Sequence, residues 1–233
     1  MDLILALDVN NADDARRFAA ETAESVDLVK VGLELFTREG PPLVRSLHRD
    51  GHRIMLDLKL HDIPNTVAQA VRSCCSLGVE LLTLHASGGP AMIEAAVEAQ
   101  AAEATDVKLL PVTVLTSMDA SQLQAIGISR TPAQQVQWLA DMALKAGAQG
   151  LVCSPMELEA LRKHHGDAPH LVTPGVRPVG SATDDQQRIA TPKAAKTWGA
   201  SAIVVGRPIR TAPNPALAAK QIKDSYRCIG MNP

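Results

Sequence analysis

The chain has 233 residues, of which 46% are hydrophobic and 21% are charged, and its formal net charge is -2. A chain of this length and composition can bury roughly 70 to 75% of its unfolded surface, which argues against a disordered protein and a membrane protein. The Lys and Arg residues are scattered, so the sequence offers no basic surface for a nucleic acid. Any anionic partner is therefore expected to be a small molecule bound at one site.

The N-terminus and the cysteines indicate where the protein works. The N-terminal stretch MDLILALDVNNADDARR has an apolar run of only five residues with acidic neighbours, unlike a secretory signal. The four cysteines have neither the paired spacing of a zinc site nor the density of a disulfide framework. We therefore expect a cytoplasmic protein whose cysteines are reduced and mostly buried.

Short apolar runs rich in Val, Leu and Ile recur along the chain, each bounded by turn residues and followed by a stretch of helical length. This alternation indicates repeated β-α units, and strands apolar on both faces are typical of a parallel sheet. Eight units predict an α/β fold of the TIM-barrel type, a closed (β/α)8 barrel in a single domain over residues 1–233. Periodicity alone leaves an open doubly wound sheet as the alternative. The runs begin at Leu3, Val26, Arg53, Leu81, Leu109, Gly150, His170 and Ala202.

The segments between the runs predict helices, for instance over residues 13–25 after Asn11 and over residues 66–77 after Asn65, because Asn can cap a helix N-terminus. Four glycines stand two to four residues before a predicted strand, where a left-handed residue ends a helix. These glycines are Gly51, Gly78, Gly147 and Gly199. Two long connections, over residues 117–132 and 177–185, predict irregular loops that act as lids over the catalytic end.

Active sites of such barrels lie at the C-terminal ends of the strands, so the polar residues that close each apolar run are the candidate site. Two of them, on the third strand, are two residues apart and should share the face opposite the leucines around them. A charged pair inside a barrel must be neutralised by further charges, and the alternative is an ion-pair network without chemistry. The polar residues are Asp8, Lys30, Asp57, Lys59, Asp62 and Thr116, followed by Gly175, Arg177, Gly206 and Arg207.

The last two strands of a barrel commonly supply a phosphate site. Arg177 and Arg207 follow glycines at these two strand ends, and a guanidinium can bind phosphate through two hydrogen bonds. We interpret the two arginines as a phosphate clamp, while either one alone would suit a solvated surface. No metal-ligand spacing, dinucleotide-binding pattern or P-loop is present, so we expect no metal and no cofactor. His61 and His85 are weaker signals to which we assign no catalytic role.

Eight short motifs occur in order at the strand ends and in the loops that follow. The chain resembles the bacterial orotidine 5'-phosphate decarboxylase family, and the resemblance covers nearly its whole length. The motifs are LALDV around Asp8, VKVG around Lys30, LDLKLHDIPNT from Leu56, LHASGG from Leu84, PVTVLTSM from Pro111, TPGVRP from Thr173, DQQRIATP from Asp185 and VVGRPI from Val204.

The resemblance implies decarboxylation of orotidine 5'-phosphate to uridine 5'-phosphate, the last step of de novo UMP biosynthesis. Lys59 would stabilise and protonate the C6 carbanion, with Asp57 and Asp62 holding the charged array that Lys30 also joins. The resemblance further implies a homodimer in which Asp62 and Thr66 reach the partner's site. The remaining implied contacts are Asp8 and Lys30 to the ribose, Thr116 to the pyrimidine, and Arg177, Gln186, Gly206 and Arg207 to the phosphate.

The nearest alternative is a magnesium-dependent sugar-phosphate decarboxylase or aldolase of the same barrel superfamily, which shares the D-x-K-x-x-D strand. Metal dependence would separate the two. A second alternative, from another class, is a catalytically dead phosphate-binding barrel. Loss of Lys59 or of one of its carboxylates would have supported that reading, and all of them are present.

Overall fold

The structure is a computed structural model that describes residues 1–178 and 190–227. Eight parallel strands pair in chain order, and β1 pairs with β8 to close the ring. The predicted (β/α)8 barrel is therefore confirmed, and the open sheet is excluded. The strands are β1 Asp2–Ala6, β2 Leu28–Gly32, β3 Ile54–Leu60, β4 Leu81–His85, β5 Lys108–Val112, β6 Gly150–Val152, β7 His170–Thr173 and β8 Ala202–Val205.

Each strand is apolar on both faces because it packs against two separate cores. One core fills the barrel interior, with residues such as Ile4, Met55 and Val172. The larger core lies between the strands and the surrounding helices, where Leu56 is one of its fully buried members. This two-sided burial explains why the strands are continuous hydrophobic runs without a regular polar alternation.

Ten α-helices surround the strands or lie in the loops of the described ranges, and none of them is long and apolar enough to cross a membrane. They are α1 Ala12–Thr22, α2 Leu33–Arg49, α3 Pro64–Cys75, α4 Pro90–Ala102, α5 Ala120–Ala125, α6 Pro132–Lys145, α7 Leu158–His165, α8 Pro192–Thr197, α9 Arg207–Arg210 and α10 Pro215–Arg227.

One predicted helix cap is correct and one is wrong. Asn11 caps α1, since its side chain accepts a hydrogen bond from the backbone N–H of Asp14. Asn65 does not cap α3, because the helix already begins at Pro64 with Ile63 as the capping residue. Proline suits the first helical position, since its fixed φ is helical and the N–H that it lacks would have no partner there.

Glycines end helices and permit close strand contacts. The four predicted helix-terminating glycines all have positive φ, with 87° at Gly51, 74° at Gly78, 94° at Gly147 and 91° at Gly199. Gly150 is required for a different reason, because a Cβ at this position would lie 2.2 Å from the backbone oxygen of His170. Any side chain at residue 150 would therefore push β6 away from β7.

The connection after β5 is more regular than the sequence suggested. It contains α5, which begins with a capping box between Asp119 and Gln122, and it ends at the capping box between Thr131 and Gln134 that starts α6. The prediction of an irregular loop is therefore wrong for this segment. Most of the other predicted lid, residues 179–185, lies outside the described residues.

The cysteines of the described ranges agree with the expectation of buried thiols. Cys74, Cys75 and Cys153 are all buried thiols that form no disulfide. Cys228 lies outside the described residues.

Candidate active site

A cavity of about 260 Å³ opens among the C-terminal ends of the strands. Residues from seven of the eight strands or the loops directly after them line it, and β4 is the exception. The structure thus brings together most of the polar residues selected from the sequence. Those lining this cavity are Asp8, Lys30, Asp57, Lys59, Thr116, Gly175 and Gly206.

Four of these residues form a chain of alternating charges, which we call the charged array: Asp8, Lys30, Asp57 and Lys59. The Lys30 Nζ lies 3.2 Å from Asp8 Oδ1 and 3.3 Å from Asp57 Oδ2. The Lys59 Nζ lies 2.8 Å from Asp57 Oδ1. Asp57 therefore holds one ammonium group on each of its two oxygens, as the sequence predicted for a neutralised interior network.

Asp57 is the most enclosed carboxylate of the array, with a side chain that is 12% exposed. Burial alone would raise the pKa of its carboxyl, but the charges of Lys30 and Lys59 outweigh this effect. Hydrogen bonds from Lys59 and Thr83 act in the same direction, so the pKa of Asp57 lies below its usual value. The carboxylate is consequently ionised at neutral pH.

The backbone at Lys59 is not a regular strand. Its φ is 51°, in the left-handed region, and the pairing of β3 with β4 shifts register between Leu56 and Leu60. The sequence analysis placed Asp57 and Lys59 on one face of β3 from the regular alternation of a strand. That reason is incomplete, because the strand is irregular at Lys59. The two side chains meet across a local bulge, which directs Lys59 into the cavity.

Thr83 of β4 is a residue that the sequence analysis missed. Its hydroxyl oxygen accepts the Lys59 backbone N–H at 2.9 Å, and the hydroxyl donates to Asp57 Oδ1 at 2.9 Å. The residue is fully buried. The available signal was a single hydroxyl within the leucine run of LLTLH, directly beside the strand that carries Asp57 and Lys59.

Gly32 leaves room for the ammonium group of Lys30. A Cβ at this position would lie 3.0 Å from Lys30 Nζ and 3.6 Å from Asp8 Oδ1. A larger residue would press on the link between these two charges. The glycine at the end of β2 is thus part of the construction of the array.

A second cavity, of about 210 Å³, adjoins the first and shares four residues with it: Asp8, Gly175, Val204 and Gly206. Arg177 and Arg207 both line it, so the two predicted arginines of the phosphate clamp meet at one site. The backbone N–H of Arg177 donates to the backbone oxygen of Ala190 at 2.9 Å, which fixes the backbone at Arg177. Arg210 also lines this cavity and was not predicted.

Two of the predicted site residues that the structure describes stand apart from these cavities. Asp62 and Thr66 are exposed at the start of α3, and the Asp62 carboxylate accepts a hydrogen bond from the Ile63 backbone N–H at 2.7 Å. Gln186 lies outside the described residues. Thr116 lines the first cavity, but it follows the end of β5 at Val112 by four residues, so its placement at a strand end was wrong.

Two histidine pairs could suggest metal binding, and neither lies among the residues of the charged array. His61 and His85 have ring centroids 5.4 Å apart, and burial is the main cause that lowers the pKa of His85, with the nearby His61 adding to it. In the described part of the chain, the ligand atoms of Asp141, His164 and His165 lie within 4.8 Å of one another. These three belong to α6 and α7 and do not line either cavity.

The arrangement can perform a specific kind of chemistry. An ammonium group held by a buried carboxylate faces a partly apolar cavity, and a cavity with three arginines lies beside it. Such a site can bind a phosphorylated substrate and stabilise negative charge that develops next to the ammonium group.

Comparison with known proteins identifies the family to which the chain belongs. Residues 1–222 match the model of the family described as "Orotidine 5'-phosphate decarboxylase / HUMPS family". A relative from Anaeromyxobacter sp. (strain K), named orotidine 5'-phosphate decarboxylase, is 52% identical over 93% of this chain and 94% of its own. A relative of the same name from Halorhodospira halophila is 50% identical over 98% of this chain and 97% of its own.

A solved structure is also similar over nearly the full length. It is the crystal structure of orotidine 5'-phosphate decarboxylase from Lactobacillus acidophilus, with a TM-score of 0.86 and 39% identity. The match covers 97% of this chain and 99% of that one. The family expected from the motifs is therefore confirmed: this chain belongs to the orotidine 5'-phosphate decarboxylase / HUMPS family.

Proposed function

We propose that this protein decarboxylates orotidine 5'-phosphate to uridine 5'-phosphate and carbon dioxide, the last step of de novo UMP biosynthesis. The observation that carries the proposal is the charged array at a cavity that adjoins an arginine-lined one. Relatives about half identical to this chain bear the name of that enzyme, which supports the same substrate.

The reaction is difficult because it leaves a carbanion at C6 of the pyrimidine ring. No ring electron sink adjoins that carbon, so stabilisation has to come from fixed charges and from positioning. Lys59 is the residue suited to this task, since its ammonium group faces the cavity and lies 2.8 Å from Asp57. We assign Lys59 both the stabilisation of the carbanion and the delivery of the proton to C6.

Asp57 contributes in two ways. It holds the ammonium group of Lys59 in place at 2.8 Å, and it lies where the carboxylate of the substrate would approach that group. Two like charges about 4 Å apart at an effective dielectric constant near 20 repel by roughly 4 kcal/mol. Enzymes lower barriers by roughly 8 to 23 kcal/mol, so this repulsion is one contribution among several.

The rest of the substrate is held around the array. Asp8 and Lys30 are assigned to the ribose hydroxyls and Thr116 to the pyrimidine, and all three line the first cavity. The phosphate is assigned to the second cavity. Its proposed ligands are Arg177, Gln186, Gly206 and Arg207.

Binding of the phosphate has a catalytic purpose. It is remote from the bond that breaks, so its binding energy can hold the pyrimidine ring against Lys59 without being lost in the reaction. No metal ion and no cofactor is assigned a role in this mechanism.

We further propose that the enzyme is a cytoplasmic homodimer and that residues 1–233 form a single catalytic domain. Asp62 and Thr66 would complete the site of the partner chain, with Asp62 joining Asp57 in holding the Lys59 ammonium. Their exposure at the start of α3 supports this assignment, as does the neighbouring Ile63, whose surface is 67% exposed. An exposed apolar side chain between two polar ones suits an interface.

The test uses purified protein and orotidine 5'-phosphate after chelation of divalent metals, with the ultraviolet absorbance of the pyrimidine as the signal. We expect conversion by the wild type and none by Lys59→Ala. Lys108→Ala is the matched control, because Lys108 begins β5 at the opposite end of the barrel. No conversion by folded wild-type protein would reject the proposal, and activity on a sugar phosphate with magnesium would establish the alternative.

A further inference from the structure

We propose that Thr83 is a positioning residue for the decarboxylation, acting through Lys59 and Asp57 without touching the substrate. This inference rests on the proposed function. The hydroxyl of Thr83 joins the backbone of one of these residues to the side chain of the other, and it thereby sets where the ammonium group stands in the cavity.

Thr83 is hydrogen-bonded to both Lys59 and Asp57. A threonine hydroxyl can donate one hydrogen bond and accept others at the same time. Thr83 uses both capacities, because it accepts from the Lys59 N–H and donates to Asp57 Oδ1, each at 2.9 Å. Valine has the same shape and can do neither.

The backbone conformation of Lys59 is held in part by this hydroxyl. A left-handed conformation is unfavourable for a residue with a side chain, so it persists only where surrounding contacts impose it. Regular pairing with β4 is interrupted between Leu56 and Leu60, and there the Thr83 hydroxyl takes the Lys59 N–H. Loss of the hydroxyl would leave this N–H without that partner and let the bulge relax.

The orientation of the Asp57 carboxylate is held by the same hydroxyl. Asp57 Oδ1 receives both the Thr83 hydroxyl and the Lys59 ammonium, at 2.9 Å and 2.8 Å, while Oδ2 faces Lys30. The hydroxyl therefore fixes the rotation of the Asp57 carboxylate. This rotation places Oδ1 beside Lys59 and Oδ2 beside Lys30. Without it, Asp57 can turn, and Lys59 loses a defined position.

Thr83 is fully buried and is not among the residues that line the cavity. Its effect on the reaction is thus indirect. A displacement of about 1 Å in a catalytic group can cost roughly 100-fold in rate, so we expect Thr83→Val to lower kcat by about 10- to 100-fold. KM should change by less than about threefold, because the phosphate and ribose contacts remain.

Three variants separate positioning from general stability. Thr83→Val removes the hydroxyl, and Thr83→Ser restores it while removing only a methyl group. Thr22→Val makes the same chemical change at another fully buried threonine, whose hydroxyl donates to the backbone oxygen of Phe18 at 2.7 Å in α1. The measurements are kcat, KM, the dissociation constant of uridine 5'-phosphate, and hydrogen exchange of the amides at residues 57–60.

The proposal requires that Thr83→Val lose turnover and amide protection at residues 57–60, that Thr83→Ser regain both, and that Thr22→Val keep both. Unchanged kcat in Thr83→Val, or a loss that serine does not restore, would overturn it. Failure of the wild type to convert orotidine 5'-phosphate is a separate result that rejects the proposed function. In that case, amide exchange alone would test whether the two hydrogen bonds of Thr83 hold residues 57–60. Unchanged amide protection in Thr83→Val would show that they do not.

Discussion

The two ends of the barrel hold charges in opposite ways. At the N-terminal end, Arg53 donates two hydrogen bonds of 2.7 Å to Glu80 on the neighbouring strand boundary. At the C-terminal end, Lys59 contacts the Asp57 carboxylate, has a left-handed backbone and carries an ammonium group that faces a cavity. The two hydrogen bonds between Arg53 and Glu80 pair both charges with each other. In the charged array, by contrast, the Lys59 ammonium also faces a cavity, where it can contact a ligand.

The contrast indicates that the N-terminal end of the barrel contributes to stability and the C-terminal end to function. The hydrogen bonds from Arg53 are the main cause that lowers the pKa of Glu80, so this pair contributes stability at neutral pH. The left-handed backbone of Lys59 costs stability instead, and strain of this kind is typical of functional sites. Substitutions at the two ends should therefore separate activity from stability.

The largest expected effect is on turnover at the C-terminal end. Lys59→Ala removes the only ammonium group assigned to the carbanion, and we expect kcat to fall by at least about 1000-fold. Steady-state assays with orotidine 5'-phosphate measure this loss, and circular dichroism checks the fold. A folded variant with substantial turnover would transfer the role to another group.

The next effect concerns the phosphate clamp. Arg207→Ala should lower kcat/KM by about 10- to 100-fold, since a hydrogen bond to a charged group is worth roughly 1.5 to 3 kcal/mol. Arg16→Ala, at an exposed arginine of α1, is the control. Kinetics equal to those of the wild type would remove Arg207 from the clamp.

The strain at Lys59 can be measured by two substitutions that both delete the side chain. Glycine adopts a φ of 51° without a steric clash, whereas alanine does not. Lys59→Gly should therefore have a free energy of unfolding about 1 kcal/mol above that of Lys59→Ala. Urea denaturation provides the comparison, and equal values would mean that the bulge carries no strain.

The N-terminal end should show the reverse pattern. Glu80→Gln breaks a half-exposed ion pair and should lower the free energy of unfolding by about 0.5 to 1 kcal/mol. Its kcat should equal that of the wild type, because Glu80 precedes β4 at the end away from the cavity. A drop in kcat at unchanged stability would contradict the proposed separation of the two ends.

The smallest effect is a dependence on pH. The pKa of Asp57 in the folded state lies below the ordinary value of 3.8, so its ionised form stabilises the protein above that pH. This contribution disappears as the pH falls through the folded-state pKa. The stability advantage of the wild type over Asp57→Asn should thus narrow as the pH falls below the ordinary value of 3.8. A constant difference in urea denaturation would contradict it.

The fold was largely predictable because its signals are local and repeated. Two-sided apolar runs located all eight strands, and glycines before the strands marked where helices end. The start of α3 was misplaced because both Asn65 and Pro64 favour a helix N-terminus, and only the backbone decides between them. Thr116 was misplaced because β5 stops at Val112 although apolar residues continue.

The charged array was predictable in its members but not in its geometry. Asp57 and Lys59 do meet, yet through a bulge that the alternation of a strand does not reveal. Thr83 was missed because one hydroxyl among leucines is also common in ordinary cores. Its importance depends on which residues of β3 it faces, and the register between β3 and β4 determines that.

The barrel closes where its first and last strands meet, since Asp2 of β1 pairs with Ala202 of β8. Synthesis at about 5 to 20 residues per second delivers β1 many seconds before β8. Until β8 docks, β1 and β7 each expose a row of unpaired backbone groups that can pair with other chains. Because β8 leads directly into Gly206 and Arg207, the strand that removes these edges also delivers the proposed phosphate ligands. A nascent chain therefore completes its site only when it also loses its exposed edges and their tendency to aggregate.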